Sequence, residues 1–554
     1  MNKIEEIVLK HALINAKKYG KAKFDAVISK VIAEIPESKK EIEILKKLVD
    51  SIIKKVNKLS KSEIESKIKE LGIEPERTKV KKATELLPPL PGAIEGKVIM
   101  RMAPFPSGPL HIGNARMVIL NDEYVKKYKG KLILFYDDTI GSEEKPIDPN
   151  AYELIKDGLD WLGVKYHEVY YKSDRMNIYY KYAEELIEKG LAYVCTCPPE
   201  IMRKNRRLGI ECECRQRSIK ENLELWRDML AGRIKPGKAV LRIKTDMKHP
   251  DPAFRDRVIM RISDREHPRV GKKYKVWPML DFSWAIDDYL LGVTHILRGK
   301  ELRIEDMMEE YIWEKMGWPK AFFIHYGMLR IKGAKLSKSQ NRKLIERGIL
   351  SGWDDPRTWS LQSLRRRGIL PQAIRNFILK LGLSEADITL PAEILYAENR
   401  KLLDPQAKRY FAVLNPIEIE IEGAPTHIEI NYHPDFPERG KRKIEVGKKI
   451  YVEKDDFDTL NGKEVVLIGL GTVHLGKKSI FLGKDIDYTL PKIHWVSTPN
   501  IKITIVMPDG SKKVAIADPG VVQLKEGEIV QFYRVGFARL DKKAEKIVFY
   551  YAHR

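Results

Sequence analysis

The stretch that decides the fold reads Arg101-Met-Ala-Pro-Phe-Pro-Ser-Gly-Pro-Leu-His111-Ile-Gly-Asn114. A short apolar run, residues 97–102, enters a Pro/Gly-rich turn, and the turn opens a helix on His-x-x-Asn. Unpaired N–H groups and the dipole at a helix start favour a phosphate, while Gly108 and Gly113 let backbone and ligand approach closely. The stretch predicts a nucleotide site, although an ordinary strand-to-helix turn can share this pattern.

Two polar side chains of this turn are candidates for chemistry. His111 and Asn114 are three residues apart, so they share one face of the predicted helix. From that face both could donate hydrogen bonds to phosphate oxygens whose negative charge grows as the α-phosphorus is attacked.

A second candidate segment, which is basic, lies far downstream, after the strand-like run Phe322-Phe-Ile324. It reads Gly327-Met-Leu-Arg-Ile-Lys-Gly-Ala-Lys335-Leu-Ser-Lys338-Ser339 and carries two lysines three residues apart. Taken alone, it is equally explained as a solvated basic loop. Together the two segments resemble the HIGH and KMSKS signatures of class I aminoacyl-tRNA synthetases, specifically the glutamyl/glutaminyl branch in its archaeal and eukaryotic form. The resemblance covers the chain from about residue 97 to the C-terminus.

The resemblance implies an enzyme that uses ATP and Mg²⁺ to activate L-glutamate and transfers it to the 3′ end of tRNA(Glu). Archaeal members often charge tRNA(Gln) with glutamate as well. The implied catalytic residues are His111, Asn114, Lys335 and Lys338. The residues implied for ATP binding are Pro104, Ser107, Gly108, His111, Gly113, Asn114, Lys335, Ser337 and Lys338.

An acidic amino acid needs a fixed negative charge for its ammonium group and at least one arginine for its carboxylates. Asp137, in Phe135-Tyr-Asp-Asp-Thr139, matches the family's ammonium-binding acid. Two adjacent acids after an apolar strand could equally cap a turn or a helix. Arg101 matches the family's carboxylate-binding arginine, and the resemblance places Ala103 beside it in the glutamate site.

Arg298 bears on which amino acid is attached to the tRNA. It lies in the segment Gly292-Val-Thr-His-Ile-Leu-Arg298-Gly-Lys-Glu301. Glutamyl enzymes have Arg at this position, whereas glutaminyl enzymes have a small uncharged residue. A neutral amide would leave a desolvated guanidinium unpaired, at a cost of about 3–5 kcal/mol. Without the resemblance, a surface Arg at a strand end is the simpler interpretation. Three positions depart from the family's pattern, namely Phe105, Phe135 and Leu280.

All four cysteines lie in one stretch, as the pairs Cys195/Cys197 and Cys212/Cys214. Two spaced thiol pairs can close a tetrahedral Zn²⁺ site that staples a loop too short for its own core. Disulfides are the alternative, but a cytosol keeps thiols reduced. We expect a structural zinc site, in a loop whose arginines and lysines suit a phosphate backbone.

Composition bounds the possible partners. Lys plus Arg is 101 against 78 Asp plus Glu, a formal net charge of +23 that suits a polyanion. RNA, DNA and anionic lipid would all qualify on charge alone, and the resemblance selects tRNA, with no DNA or membrane partner. The N-terminus has no signal-peptide pattern and the chain has no uncharged apolar run long enough to span a bilayer. A cytoplasmic protein is expected.

The pattern predicts a multidomain α/β chain built on a Rossmann-type, doubly wound parallel sheet. Residues 1–92 are Lys/Glu-rich and helical, with an apolar stripe that indicates internal packing more than a coiled-coil dimer. The other expected segments are 93–194 and 276–340 for the two catalytic halves, 195–275 for a zinc-bearing acceptor-end insertion, 341–402 for a helical connection and 403–554 for two β-barrels that bind the anticodon.

Two other functions compete with this interpretation. A glutaminyl-tRNA synthetase shares both signatures and the barrels, and Arg298 argues against it. A non-catalytic tRNA-binding paralogue would use the same basic surfaces, but it has no physical reason to keep His111, Asn114, Lys335 and Lys338.

Overall fold

The computed structural model of the chain describes residues 3–71, 87–140, 146–334, 336–485 and 489–554. The chain divides into two compact units, Met1–Leu86 and Leu87–Arg554. In the described residues, no helix is both long enough and apolar enough to cross a membrane.

The first unit is helical. Leu45, Val49, Ile52 and Val56, which belong to the predicted apolar stripe, are buried in its core, so the stripe packs internally. The helices are α1 (Lys3–Tyr19), α2 (Phe24–Glu34), α3 (Ile42–Val56) and α4 (Lys61–Glu70), with a 3₁₀ turn at Pro36–Glu41.

The second unit begins with alternating strands and helices. In chain order these are β1 (Ile99–Met102), α5 (Ile112–Lys127), β2 (Lys131–Tyr136), α6 (Ala151–Trp161), β3 (Glu168–Tyr171), α7 (Met176–Glu188), β4 (Ala192–Cys195), α8 (Pro199–Leu208), α9 (Ile219–Leu230), β5 (Val240–Ile243), β6 (Val258–Ile262), β7 (Val276–Pro278), α10 (Leu280–Leu290), β8 (His295–Gly299), α11 (Arg303–Met316), β9 (Phe322–Tyr326), β10 (Leu329–Ile331), α12 (Lys338–Glu346), α13 (Leu361–Arg367), α14 (Pro371–Leu381), β11 (Ile388–Leu390) and α15 (Ala392–Leu403).

The predicted parallel sheet is confirmed. Its strand order is β3-β2-β1-β8-β9, and every neighbouring pair is parallel. Helices cover both faces, which explains why β2 is a continuous apolar run with buried side chains throughout its interior. The strand order reverses between β1 and β8, and in such sheets ligands bind beyond the carboxyl ends of the strands at this point.

A smaller antiparallel sheet, β4-β5-β6-β7, lies between the two halves of the parallel sheet in the chain. It starts at Ala192 and ends at Pro278. The cysteines lie at one end of β4 and in the loop that precedes α9, so this layer carries the candidate metal ligands.

The C-terminal part is almost entirely β. Its elements are β12 (Arg409–Tyr410), β13 (Ala412–Val413), β14 (Pro416–Glu422), β15 (His427–Asn431), β16 (Lys441–Glu445), β17 (Lys449–Glu453), α16 (Lys454–Leu460), β18 (Glu464–Leu467), β19 (Gly471–His474), β20 (Lys478–Gly483), β21 (Lys492–Ile493), β22 (Trp495–Ser497), β23 (Ile501–Val506), β24 (Lys512–Ala517), β25 (Ile529–Phe532), β26 (Gly536–Lys543) and β27 (Ile547–His553).

Most of these strands form two seven-stranded sheets, β12-β25-β26-β27-β23-β24-β13 and β21-β18-β19-β20-β14-β17-β22. In the first sheet the two edge strands are separated along the chain by Phe411 alone, and in the second by His494 alone. Each sheet must therefore curl until its edges nearly meet, and each encloses its own apolar core.

Candidate active site

The first signature, residues 101–114, forms the turn between β1 and α5. His111 is the N-cap of α5, and its Nδ1 accepts from the backbone N–H of Gly113 at 3.1 Å and of Asn114 at 3.4 Å. Asn114 Oδ1 in turn accepts from the His111 N–H at 3.2 Å. This reciprocal capping box fixes both side chains at the start of the helix.

The capping bonds also settle which protons these side chains offer. Because Nδ1 accepts, the neutral His111 ring carries its hydrogen on Nε2. Burial, assisted by the nearby positive charge of Lys338, lowers the pKa of His111 to about 3. His111 is therefore a neutral hydrogen-bond donor through Nε2–H, and Asn114 keeps its amide N–H groups for donation.

Because His111 is neutral, we expect its replacement to lower the activity by the same factor at every pH tested. Because the pKa of His111 is about 3, its ring does not titrate between about pH 8 and pH 5.5. The ratio of the kcat/KM for ATP of the native chain to that of His111→Asn, which reports the free enzyme, should stay constant over this range. Steady-state rates at several pH values would test it, and a ratio that changed several-fold would show that the ring does titrate.

The second signature, residues 327–339, reaches the same turn. Lys338 is the first residue of α12, and its Nζ donates to the Gly108 carbonyl at 3.3 Å. Arg342, one turn further along α12, donates to the Ser107 carbonyl at 2.5 Å. Lys335 lies outside the described residues, so its place in the site stays a prediction.

One cavity of about 940 Å³ lies between the two signatures. The first turns of α5 and α12 both border it, so two helix N-termini place positive ends of their dipoles at its wall. Predicted residues that line it are Ala103, Pro104, Ser107, His111, Asn114 and Lys338. The cavity has the cationic lining and the size that a nucleoside triphosphate requires.

Gly108, Gly113 and Ser337, the other predicted nucleotide residues that the structure describes, are next to lining residues in the chain but do not line the cavity themselves. Gly108 has φ +146°, and a Cβ there would lie 2.9 Å from the ring of Trp353. A Cβ on Gly113 would lie 3.0 Å from the His111 ring, so a side chain at Gly108 would clash with Trp353 and one at Gly113 would push the His111 ring aside by a few tenths of an ångström. Ser337 caps α12, where its hydroxyl accepts from the Gln340 N–H at 3.4 Å.

The candidate glutamate residues lie at the carboxyl edge of the sheet, but each of the three charged ones already has a protein partner. Arg101, near the end of β1, donates to both carboxylate oxygens of Asp288, at 2.6 and 2.7 Å. Asp137, just after β2, pairs with the fully buried Lys172 at 3.1 Å. The Arg101 guanidinium and the Lys172 ammonium lie 3.5 and 3.7 Å from the centroid of the Trp284 ring.

Arg298 has carboxyl partners within the protein as well, which the sequence did not reveal. Its side chain pairs with Asp306, and its Nη1 donates to Glu309 at 2.7 Å. His325 hydrogen-bonds the other carboxylate oxygen of Asp306. Burial raises the pKa of Glu309 to about 8, so near neutral pH this carboxyl largely holds its proton.

Two of the departures from the family's pattern are explained by packing. Phe135 is buried and contacts Trp284 edge-on, with ring centroids 5.0 Å apart. Leu280 packs against the same apolar cluster. The pattern missed Lys172, Trp284 and Asp288 because these residues approach Arg101 and Asp137 only in the folded chain.

The four cysteines form one cluster. Their Sγ atoms all lie within 4.8 Å of one another, with Cys195 to Cys212 at 3.9 Å and Cys197 to Cys214 at 3.7 Å. A disulfide needs about 2.05 Å, whereas a tetrahedral zinc with bonds of about 2.3 Å separates its sulfurs by about 3.8 Å. The buried Arg242 lies 3.8 Å from two of the sulfurs, Cys195 and Cys212, where a positive charge offsets thiolates.

A doubly wound parallel sheet, with two helix N-termini and a lysine around one cavity, defines a nucleotide-binding α/β enzyme. Residues 97–405 match the family model described as tRNA synthetases class I (E and Q), catalytic domain. Residues 407–485 and 492–541 match two models described as anti-codon binding domains of the same family. The chain belongs to the class I tRNA synthetases of the glutamate and glutamine family, which confirms the resemblance of the two signatures.

Full-length relatives agree with the family models. The chain is 46% identical to a glutamate--tRNA ligase of Pyrococcus abyssi, with 100% of both chains covered. It is 45% identical to one of Pyrococcus horikoshii and 42% identical to one of Methanothermobacter marburgensis, again with 100% of both chains covered.

Proposed function

We propose that this chain is a ligase that attaches L-glutamate to the 3′ end of tRNA(Glu), first forming glutamyl-adenylate from ATP. The observation that carries the proposal is the single cavity bordered by His111, Asn114 and Lys338. The full-length similarity to archaeal glutamate--tRNA ligases supports the choice of amino acid.

In the first step the α-carboxylate of glutamate attacks the α-phosphorus of Mg²⁺-bound ATP in line, and pyrophosphate leaves. No protein nucleophile is needed, so positioning and charge stabilisation supply the catalysis. Lys338, and Lys335 on the same loop, hold the phosphates on one side. The Nε2–H of His111 and the amide of Asn114 donate to oxygens on the other side. In the second step the terminal ribose hydroxyl of the tRNA attacks the acyl carbon of the adenylate, and AMP leaves.

For glutamate itself, we assign the α-ammonium to Asp137 and the carboxylates to Arg101 and Arg298, with Ala103 in the wall. The pairs Arg101–Asp288 and Arg298–Asp306 hold the two guanidiniums in place before the ligand arrives. Such preorganisation lowers the entropy lost on binding. Because burial raises the pKa of Glu309 to about 8, this carboxyl offsets the positive charge of Arg298 less than an ionised carboxylate would.

The proposal is tested by aminoacylation of transcribed tRNA(Glu) and tRNA(Gln) with each amino acid, ATP and magnesium. Glutamate on tRNA(Glu) is the expected product. Glutamine on tRNA(Gln) would instead establish a glutaminyl enzyme. If neither tRNA were charged, the non-catalytic tRNA-binding paralogue would be the remaining interpretation. Charging of tRNA(Gln) with glutamate is expected to accompany the main activity, as in archaeal members of the branch.

We also propose that the cysteine cluster holds one structural Zn²⁺, and that the layer around it, residues 195–275, binds the acceptor end of the tRNA. The two curled C-terminal sheets would be two barrels that bind the anticodon, with residues 341–402 as the helical connection and residues 1–92 as an appended helical region. The cationic surplus of the chain suits this polyanionic partner.

The zinc proposal predicts a metal-dependent stability. The purified chain should contain about one zinc atom, because a four-thiolate site is closed and structural. Cys214→Ser should lower both the zinc content and the melting temperature, since metal binding contributes folding energy. Lys204→Ala, at an exposed position between the two cysteine pairs, leaves all four thiols and is the control. A native chain that purified without zinc and was unaffected by Cys214→Ser would contradict the assignment.

A further inference from the structure

Helix α13 is joined directly to the first signature. His111 and Ser360 form an isolated antiparallel β-bridge. The Leu361 N–H donates to the Leu110 carbonyl at 2.9 Å, and the Ile112 N–H donates to the Trp359 carbonyl at 3.3 Å. The start of α13 therefore shares backbone hydrogen bonds with the N-cap that orients the His111 ring.

The other end of α13 is joined to the C-terminal sheet that contains β26 and β27. Arg366 donates through Nε and Nη2 to the two carboxylate oxygens of Asp541, in β26, at 3.0 and 2.7 Å. Its guanidinium also lies 4.3 Å from the centroid of the Tyr550 ring, in β27. A bidentate arginine pair fixes orientation as well as distance, so α13 and this sheet are held in one relative arrangement.

Arg366 also makes a second connection back to the signature. Its Nη1 donates to Asp354 Oδ2 at 2.9 Å. The neighbouring Trp353 closes over Gly108, where a Cβ would lie 2.9 Å from its ring, and its carbonyl accepts from the Ser360 hydroxyl at 2.6 Å. The Gly108 carbonyl is the one that accepts from Lys338.

We propose that Arg366 is a positioning residue that couples the C-terminal sheet to the catalytic turn, so that tRNA held by that sheet favours the reactive arrangement of His111 and Lys338. The proposal rests on the proposed function. Arg366 touches none of the reacting atoms in this scheme. Its effect passes through Asp541 on one side and through Asp354, Trp353 and the start of α13 on the other.

The chain offers a matched control on the same helix. Arg365 makes an equivalent bidentate pair, with both N–O distances 2.9 Å, but its partner Asp157 belongs to α6 beside the parallel sheet. Arg365→Ala therefore removes the same kind of charge pair from α13 without cutting the connection to Asp541.

The experiment compares two RNA substrates with the full-length chain. Intact tRNA(Glu) engages the C-terminal sheets, whereas a minihelix made of the acceptor and T arms lacks the anticodon arm. Arg366→Ala and the milder Asp541→Asn should each lower kcat for intact tRNA by about 5- to 150-fold, the usual range of a coupling between sites. The rate on the minihelix should stay within about twofold of the native value, and the double variant should lose little beyond either single one. Arg365→Ala should retain the preference for intact tRNA.

Other outcomes would overturn the proposal. An equal loss on tRNA and minihelix would make Arg366 a packing residue of the active site. A weaker Kd for tRNA with unchanged kcat would make it a direct RNA contact, and unchanged rates in both variants would remove its role altogether. A native chain that charges no tRNA at all would instead overturn the proposed function, so the two failures are distinct.

Discussion

Lys338→Ala is expected to lower kcat for glutamate activation about 100- to 1000-fold, the usual loss when one preorganised donor to a developing charge is removed. The lysine begins α12, its Nζ is held 3.3 Å from the Gly108 carbonyl, and its charge helps to lower the pKa of His111. The positive charge of Lys338 therefore acts on groups at the opposite wall of the cavity. Because glutamate does not contact it in the proposed scheme, the KM for glutamate should change by less than about threefold.

ATP–pyrophosphate exchange in the presence of tRNA measures this step, with kcat and the KM for glutamate determined separately. Lys332→Ala is the control, because Lys332 is an exposed lysine of the same loop. It should leave both constants close to native. If Lys338→Ala raised the KM for glutamate and left kcat unchanged, the phosphate role assigned to this lysine would be wrong.

The grouping of the candidate nucleotide residues could be predicted because most of them lie close together in the sequence, while their roles stay predictions. The glycines, the N-cap and the Asn one turn later all fall within residues 101–114, and local geometry alone brings His111 and Asn114 to one helix start. The approach of Lys338 followed from the family pattern, since no local rule joins residues so far apart. The structure shows its contact with Gly108.

The amino-acid side could not be predicted to the same depth. Asp288, Asp306 and Glu309 lie on α10 and α11, and their carboxylates meet Arg101 and Arg298 only because helices and strands from distant parts of the chain pack together. From the sequence alone, a charged residue on the buried face of a helix cannot be distinguished from one on the exposed face. The same limit hid Lys172 beside Asp137.

The C-terminal strands could be recognised, but not their partners. The runs of β-branched residues at 417–421 and 501–507 are typical of strands, and they coincide with β14 and β23. The sheets, however, pair β14 with β20 and β23 with β27, strands that are far apart in the chain. Alternating apolar residues specify which face of a strand is buried, and they do not specify its neighbour.

The buried cluster around Arg298 predicts a second large effect, in which stability and specificity can be separated. Arg298→Met would leave Asp306 and Glu309 in a buried site without their cation. Removing one partner of a buried ion pair costs about 3–5 kcal/mol, so the free energy of unfolding should fall by that amount. The side-chain carboxylate of bound glutamate would also lose its cationic partner, and at about 1.4 kcal/mol per tenfold change a loss of about 3 kcal/mol lowers the kcat/KM for glutamate at least about a hundredfold.

Adding Asp306→Asn to Arg298→Met separates the two effects, because burial already keeps Glu309 largely protonated near neutral pH and Asp306 pairs directly with Arg298. The double variant removes one stranded carboxyl, so part of the lost stability should return, as denaturant unfolding would show. Charging with glutamate should stay lost, because no guanidinium remains for the ligand. Arg442→Met is the matched control, since Arg442 pairs with Asp518 at 2.6 Å in an equally buried site of the C-terminal part. It should lower stability and leave the KM for glutamate unchanged. If the double variant regained both stability and glutamate charging, Arg298 would be a structural residue, and the selection of glutamate would have to lie with Arg101.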